Sequence, residues 1–230
     1  MNWQPCFSDP QNWILYSDED LLVVNKPAGL LSIPDGYHPE LPHLAQALAP
    51  LMGKLWIVHR LDKETSGVML LARSAEAHRV LNQSFRERAL RKLYHCLASP
   101  PPEWQTKDLD LPLRVNADRA HRTCVDLERG KPARTLVNVL RHGESFSLLE
   151  CALLSGYTHQ IRAHLYYAGL EILGDTLYRP KGVDVFDPRL QAARLMLHAY
   201  KISFAHPTTG LELSFRAPYP PDFEQKLASL

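Results

Sequence analysis

Leu55-Trp56-Ile57-Val58-His59-Arg60-Leu61-Asp62-Lys63-Glu64-Thr65-Ser66-Gly67-Val68-Met69-Leu70-Leu71-Ala72 places two strand-like apolar runs, 55–58 and 68–72, on either side of a charged interruption. Residues 57–61 read as extended, 62–66 as a polar break, and 67–72 as a resumed apolar strand. Extended backbone alternates its side chains, so Arg60 and Asp62 project to one side and His59 and Leu61 to the other. A carboxylate and a guanidinium on one side can address one cleft. The same pattern describes a strand-end turn closed by a surface ion pair, and the residues alone leave both readings open.

Working outward toward the N-terminus, residues 13–16 and 21–25 read as short strands around the turn Ser17-Asp18-Glu19-Asp20. Lys26-Pro27-Ala28-Gly29 stops the second, because proline cannot donate to a ladder and glycine tolerates positive φ. A loop rich in proline and glycine follows to about residue 42, and 43–52 reads as a short helix broken or ended near Pro50. Toward the C-terminus, Ser74 is positioned as the N-cap of a helix to about residue 89. Ala77, Val80, Leu81 and Phe85 form its apolar face, with Arg79, Arg86 and Glu87 outward.

Residues 92–98 then alternate as a strand, whereas 99–133, with one short apolar stretch at 109–113, reads as a long excursion from the body. Strands at 134–141 and 146–154 flank His142-Gly143-Glu144-Ser145. A helix capped by Thr158 ends at Gly169, and strands at 194–204 and 211–215 join across Pro207-Thr208-Thr209-Gly210. Hairpin-like joins outnumber helical crossovers, which predicts an α+β fold with a mixed, largely antiparallel sheet and flanking helices. A length of 230 residues suits a single compact unit over 1–230.

Lysine plus arginine (26) nearly balance aspartate plus glutamate (25), and the charged fraction of 22% argues against a disordered tail or polybasic arm. The net charge of +1 neither requires nor excludes nucleic acid. Arginines outnumber lysines and cluster locally: Arg86, Arg88 and Arg91 with Lys92, then Arg114, Arg119, Arg122, Arg129 and Arg134 with Lys131. Arginine's planar fork suits phosphates and base edges, although each cluster also reads as a solvated helix face or loop.

Cys6, Cys96, Cys124 and Cys151 show no C-x-x-C pairing, so neither a zinc ribbon nor a disulfide scaffold is expected, and a cytoplasmic setting fits. No basic-then-apolar leader and no run of about 18 apolar residues occurs, so neither secretion nor membrane spanning is expected.

A second polar cluster, Gly156-Tyr157-Thr158-His159-Gln160-Ile161-Arg162-Ala163-His164, opens an otherwise apolar helix, and His159 and Arg162, three apart, share a face. The spacing is not that of a zinc peptidase, and no metal site is expected. His159 reads better as a capping or core histidine than as a catalytic one. Tyr94 shares a strand face with Cys96 and by itself reads as a core tyrosine with a satisfied hydroxyl.

His59-Arg60-Leu61-Asp62, followed by Thr65-Ser66-Gly67, resembles the signature of RluA-type pseudouridine synthases. In the same order, Val24 to Leu30, Lys92-Leu93-Tyr94, Thr158-His159-Gln160-Ile161-Arg162, Ile172-Leu173-Gly174-Asp175 and Leu195-Met196-Leu197-His198-Ala199 resemble further segments of that family, covering roughly residues 13–218. The resemblance implies the pseudouridine synthase fold with a central RNA-binding cleft, and an isomerase that detaches uracil from its ribose and rejoins it through carbon. It makes Asp62 the catalytic carboxylate, acting covalently on sugar or base or abstracting a ribose proton. Arg162 would pair with it and keep it ionised despite burial. Tyr94 would stack on the uracil and help remove the C5 proton, and Arg60 would contact the RNA or fill the space of the extruded base.

His59, Arg86, Arg88, Arg91, Arg119 and Arg122 are the further residues expected to bind RNA. No cofactor and no metal are expected, because the reaction is redox-neutral. Where the family has a basic residue before Thr158, this chain has Tyr157, which puts one phosphate contact in doubt. The motifs begin almost at the N-terminus, so a single catalytic domain without an S4 module is expected. The short form, together with residues 115–132 and the run Gly130-Lys131-Pro132-Ala133, is most similar to the short branch of the family that acts on 23S ribosomal RNA and tRNA, beside short relatives with other targets. A stem-loop of such an RNA is the expected partner of a cytoplasmic monomer with no obligate protein partner. Two other classes stay open: a non-catalytic RNA-binding protein on the same fold, and a glycosidase pairing Asp62 with Glu64 or Asp175.

Overall fold

The computed structural model describes Phe7 and residues 9–179 and 187–230, so Cys6 lies outside the described residues. The chain runs through β1 (Ile14–Ser17), β2 (Leu21–Lys26), α1 (Leu44–Met52), β3 (Trp56–Ile57), β4 (Ser66–Ala72), α2 (Ala75–Arg86), β5 (Arg91–Ser99), β6 (Thr106–Asp110), β7 (Leu113–Arg114) and β8 (Cys124–Val125). It continues through β9 (Arg134–His142), β10 (Ser147–Leu153), α3 (Gln160–Tyr167), β11 (Glu171–Ile172), β12 (Leu197–Ala205), β13 (Glu212–Arg216) and α4 (Pro221–Ala228). Two compact units result, one from residues 4–92 with 198–220, the other from 93–197 with 221–230.

The first unit is built on β4, whose seven residues are all buried. Strand β2 runs antiparallel along one edge, from Leu21 opposite Ala72 to Lys26 opposite Gly67. The other edge is shared by β12, parallel at His198–Ser66 and Ala199–Gly67, and by β3 at Trp56–Ala72. That parallel pair makes the sheet mixed, as expected. A Cβ at Gly67 (φ 117°) would stand 2.3 Å from the Ala199 carbonyl oxygen, so only glycine allows the two strands this close. Helix α2 is capped by Ser74, whose hydroxyl accepts from Ala77 N–H (3.0 Å), and buries Ala77 and Leu81. It ends at Arg86, three residues before its expected end.

Strand β3 is shorter than the extended run expected over 57–61. The Leu70 N–H, which a longer β3 would occupy, donates instead to Nε2 of His59 (2.9 Å), so a side chain replaces the ladder and the chain turns away at Val58. Helix α1 runs through Pro50 to Met52 instead of stopping there.

In the second unit β5, β10, β9 and β6 form an antiparallel set in that order, with β11 also on β5 and a separate two-stranded ribbon of β7 and β8. The supposed excursion over 99–133 therefore contributes an edge strand. Only Leu109 of β6 is buried, so its sequence Thr-Lys-Asp-Leu-Asp reads as loop although its backbone pairs with β9. The C-terminal helix α4 buries only Phe223. The strand expected from residue 194 begins at Leu197, because Arg194 is buried and bonded to Asp222 through Nε (2.6 Å) and Nη2 (2.8 Å). Among the described residues no helix is long and apolar enough to cross a membrane.

Candidate active site

Asp62 sits half-buried in an irregular segment between β3 and β4, and its two neighbours are pinned through their backbones. The Ser32 hydroxyl donates to the Leu61 carbonyl (2.7 Å) and accepts the Leu61 N–H (3.0 Å). Lys26 is wholly buried, and its ammonium donates to the carbonyls of Pro27 (2.9 Å), Leu30 (2.8 Å) and Lys63 (3.2 Å). The Lys63 carbonyl also accepts the Gly29 N–H (2.7 Å), and the Asp62 carbonyl accepts the Thr65 N–H (3.1 Å). Lys26-Pro27-Ala28-Gly29, which reads in the sequence as a strand stop, is thus a clamp on the peptide that carries the carboxylate.

Arg60 is exposed and Leu61 buried. The ring of His59 stacks on Phe85 (centroids 4.8 Å apart, planes at 26°), and burial together with the charge of Lys92 pushes its pKa down to about 3. Because Nε2 accepts from Leu70, the neutral ring carries its proton on Nδ1. The structure therefore makes His59 a neutral brace for the bend, not the cation that phosphate binding would want. Of the alternation expected over 59–62, only the contrast between exposed Arg60 and buried Leu61 shows in burial, since His59 and Asp62 are both half-buried.

Tyr94 and Arg162 belong to the other unit. Tyr94 lies in β5 opposite Cys151 of β10 and is buried. Helix α3 begins at Gln160, so the capping position falls to His159, in the left-handed region (φ 57°) and without a side-chain cap bond. The expected cap Thr158 instead accepts, through its carbonyl, a hydrogen bond from the Thr123 hydroxyl (2.7 Å). The start of the helix is held by the buried Gln160, whose amide accepts from Ser155 (2.8 Å) and Tyr157 N–H (3.2 Å) and donates to Thr135 (3.0 Å) and the Arg134 carbonyl (3.1 Å).

Arg162 meets Asp175, one of the least exposed carboxylates, through Nε (2.7 Å) and Nη2 (2.8 Å). Asp175 also accepts the N–H groups of Leu177 (2.9 Å) and Tyr178 (3.0 Å). The guanidinium lies 5.0 Å from the ring centroid of Tyr178. The Tyr178 hydroxyl donates to the Thr123 carbonyl (3.0 Å), accepts the Thr123 N–H (2.7 Å), and lies 3.3 Å from Nδ1 of His159. Burial raises its pKa well above the ordinary phenol range. Asp175 is thus saturated with donors, which does not suit the second carboxylate of a hydrolase; the sequence pattern assigned it no positioning role, and assigned none to Lys26, Ser32 or Tyr178 either.

Residues 20–167 match the RNA pseudouridylate synthase family. The chain belongs to that family. The dual-specificity RNA pseudouridine synthase RluA of Pasteurella multocida is 38% identical over 92% of this chain and 94% of its own length. The ribosomal large subunit pseudouridine synthase D of a Neisseria meningitidis serogroup A strain is 36% identical over 94% of this chain, and the match spans 60% of that relative. Among solved structures, human RNA pseudouridylate synthase domain containing 4 superimposes with a TM-score of 0.78 at 27% identity, over 95% of this chain and 93% of its own. The α+β class and the pseudouridine synthase fold expected from the sequence therefore hold.

Within this pseudouridine synthase, Arg86, Arg88 and Arg91 are all exposed at the turn from α2 into β5. Arg119 is exposed, whereas Arg122 is half-buried and paired to Asp118 (2.7 Å). Tyr157, which stands in for the family's basic residue, packs against the apolar cluster of Leu113, Ala133, Ala163 and Tyr178.

Proposed function

We propose that this pseudouridine synthase chain isomerises a uridine in a stem-loop of 23S ribosomal RNA, of tRNA, or of both. The observation that carries the reading is the clamp on Asp62. A buried ammonium and a buried hydroxyl hold the peptides on either side of this carboxylate through their backbone atoms, which is how a reactive group is kept at one position. The resemblance to dual-specificity and large-subunit synthases supports the choice of RNA.

In the reaction the N1–C1′ bond breaks, the uracil turns while bound, C5 joins C1′, C5 loses a proton and N1 gains one. Atoms and electrons balance without an external donor. Asp62 acts as nucleophile on the sugar or base, or as the base that takes a ribose proton. Arg162, already oriented by Asp175, is the cation that the family resemblance assigns as the partner of Asp62, and Tyr94 stacks on the extruded base and assists loss of the C5 proton. Arg60, exposed two residues from Asp62, occupies the gap left in the RNA stack or holds a phosphate.

RNA labelled with tritium at C5 of uridine tests this directly. Tritium release with the base retained is expected from the wild-type chain, and none from Asp62→Asn, whose amide keeps the shape but is neither nucleophile nor base. Release of free uracil would mean a glycosidase, and RNA binding without tritium release a non-catalytic binder; either overturns the proposal. Pseudouridine profiling of total RNA from a strain lacking the chain then names the target.

A further inference from the structure

An open groove of about 640 Å³ in the second unit is lined by Asp118, Arg119, Arg122, Thr176 and Arg179 among others. We propose that Arg119, Arg122 and Arg179 form a subsite for successive phosphates of the RNA backbone, an assignment that rests on the RNA-modifying reading above.

Both walls of the groove are preformed. On one side Asp118 folds its loop by accepting the N–H groups of Ala120 and Arg122 (3.0 Å each), while Ala117 N–H bonds to the Arg122 carbonyl (2.7 Å). Asn116 and His121 take left-handed φ values of 54° and 55° to close the loop. On the other side Asp175 organises the turn that carries Thr176 to Arg179 through the N–H groups of Leu177 and Tyr178. The two walls are joined by Tyr178, whose hydroxyl exchanges two hydrogen bonds with the backbone of Thr123, the residue after Arg122. A site already ordered in this way loses little entropy on binding.

The guanidinium groups are held by their inner nitrogens. Arg122 gives Nε to Asp118 (2.7 Å) and Arg179 gives Nε to the Asp175 carbonyl (2.7 Å), which leaves the terminal nitrogens of both without a partner among the described residues. Arg119 is exposed and makes no hydrogen bond or ion pair with a described residue. Three guanidinium groups, against the carboxylate of Asp118 in the lining and that of Glu171 within electrostatic reach of Arg179, leave the groove a positive surplus, and each terminal nitrogen pair is the donor fork that a phosphate accepts bidentately. The groove is open to solvent, which suits a polymer lying across it. Asp175 links it to the site, holding Arg162 by its carboxylate and Arg179 by its carbonyl.

The test uses the full chain with Arg119 and Arg179 both changed to Ala, or both to Lys, and measures binding to bulk tRNA and to a uridine-loop hairpin across a salt series. Loss of two phosphate contacts should flatten the slope of log K against log salt by roughly 1.4 to 1.8, whereas the Lys pair should keep most of it. KM should rise by a larger factor than kcat falls. A hairpin carrying neutral methylphosphonates should bind the wild-type chain less well and the Ala pair no worse than the native hairpin. Thermal unfolding, expected to stay at the wild-type temperature, shows that both variants fold. A wild-type salt slope in the Ala pair overturns the subsite while leaving the isomerase reading intact if the wild-type chain releases tritium. Absence of tritium release from the wild-type chain overturns the underlying reading instead.

Discussion

Asp175 grips Arg162 along one edge, Oδ2 to Nε at 2.7 Å and Oδ1 to Nη2 at 2.8 Å, with only 1% of the carboxylate side chain and 10% of the guanidinium side chain exposed. Two bonds to one planar group fix its rotation as well as its position, and the Tyr178 ring, 5.0 Å away, supports its face. Arg162 is therefore presented by the fold and does not wait for substrate to order it.

Asp175→Asn should leave one donor edge of Arg162 facing an amide and lower tritium release at least about tenfold, chiefly through kcat. It should also cost about 3 kcal/mol of stability, because a buried charge loses its partner. Arg162→Lys should behave similarly, since an ammonium cannot span both carboxylate oxygens. Single-turnover assays beside urea unfolding check both. Wild-type kcat in Asp175→Asn would show that Arg162 needs no such support.

Lys26→Met keeps the apolar stem but removes the ammonium that satisfies three carbonyls. Leaving buried acceptors unmet costs about 1–3 kcal/mol for each carbonyl that water cannot reach, so this variant should unfold at lower urea. Because one of the three carbonyls belongs to Lys63, tritium release should fall further than stability alone explains, measured where the variant is still folded. Lys26→Arg should not restore it, as a planar fork cannot replace a compact ammonium in a closed space.

Much of this was legible in the sequence where burial is two-sided. Strand β4 reads as a continuous apolar run because all of its residues are buried, and Ser74 reads as a cap because its hydroxyl performs that bond. The motif residues Asp62, Tyr94 and Arg162 were legible through resemblance, not periodicity. What stayed hidden was the work of contacts distant along the chain. Strand β6 and helix α4 each bury a single side chain, so neither shows a pattern. The shortening of β3 depends on His59 reaching Leu70, and the link between His159 and Arg162 is their common neighbour Tyr178, not a shared helix face. Asp175 lies thirteen residues beyond Arg162, a separation with no helical or strand meaning.

The pH dependence of stability should carry the mark of His59. Its pKa is about 3 in the folded chain against 6.5 when unfolded, so between those values the unfolded chain binds a proton that the folded chain refuses. Stability is therefore present in full above pH 6.5 and is lost progressively as pH falls toward 3. Burial depresses His164 as well, which adds with the same sign. Urea midpoints measured from about pH 7.5 to pH 5 should decline for the wild-type chain. His59→Gln should start lower, having lost the Phe85 stack, and decline less steeply.

Arg60→Ala separates catalysis from capture at an exposed residue two positions from Asp62. Arg60 is solvent-exposed and outside any regular element, so its removal should leave the free energy of unfolding within about 0.5 kcal/mol of wild type. If its guanidinium fills the gap left by the flipped base, the interaction exists only once the base has left the stack, and losing it should lower turnover by about 1–3 kcal/mol, or roughly 5- to 150-fold. Equilibrium binding of a stem-loop with its target replaced by an abasic site should weaken more than binding of the intact loop, because the abasic RNA already offers the gap. If Arg60 instead holds a phosphate, both RNAs should lose affinity equally, the salt slope should drop by about one, and kcat should hold. Fluorescence of a 2-aminopurine placed beside the target uridine distinguishes the two outcomes, since only the first slows base extrusion.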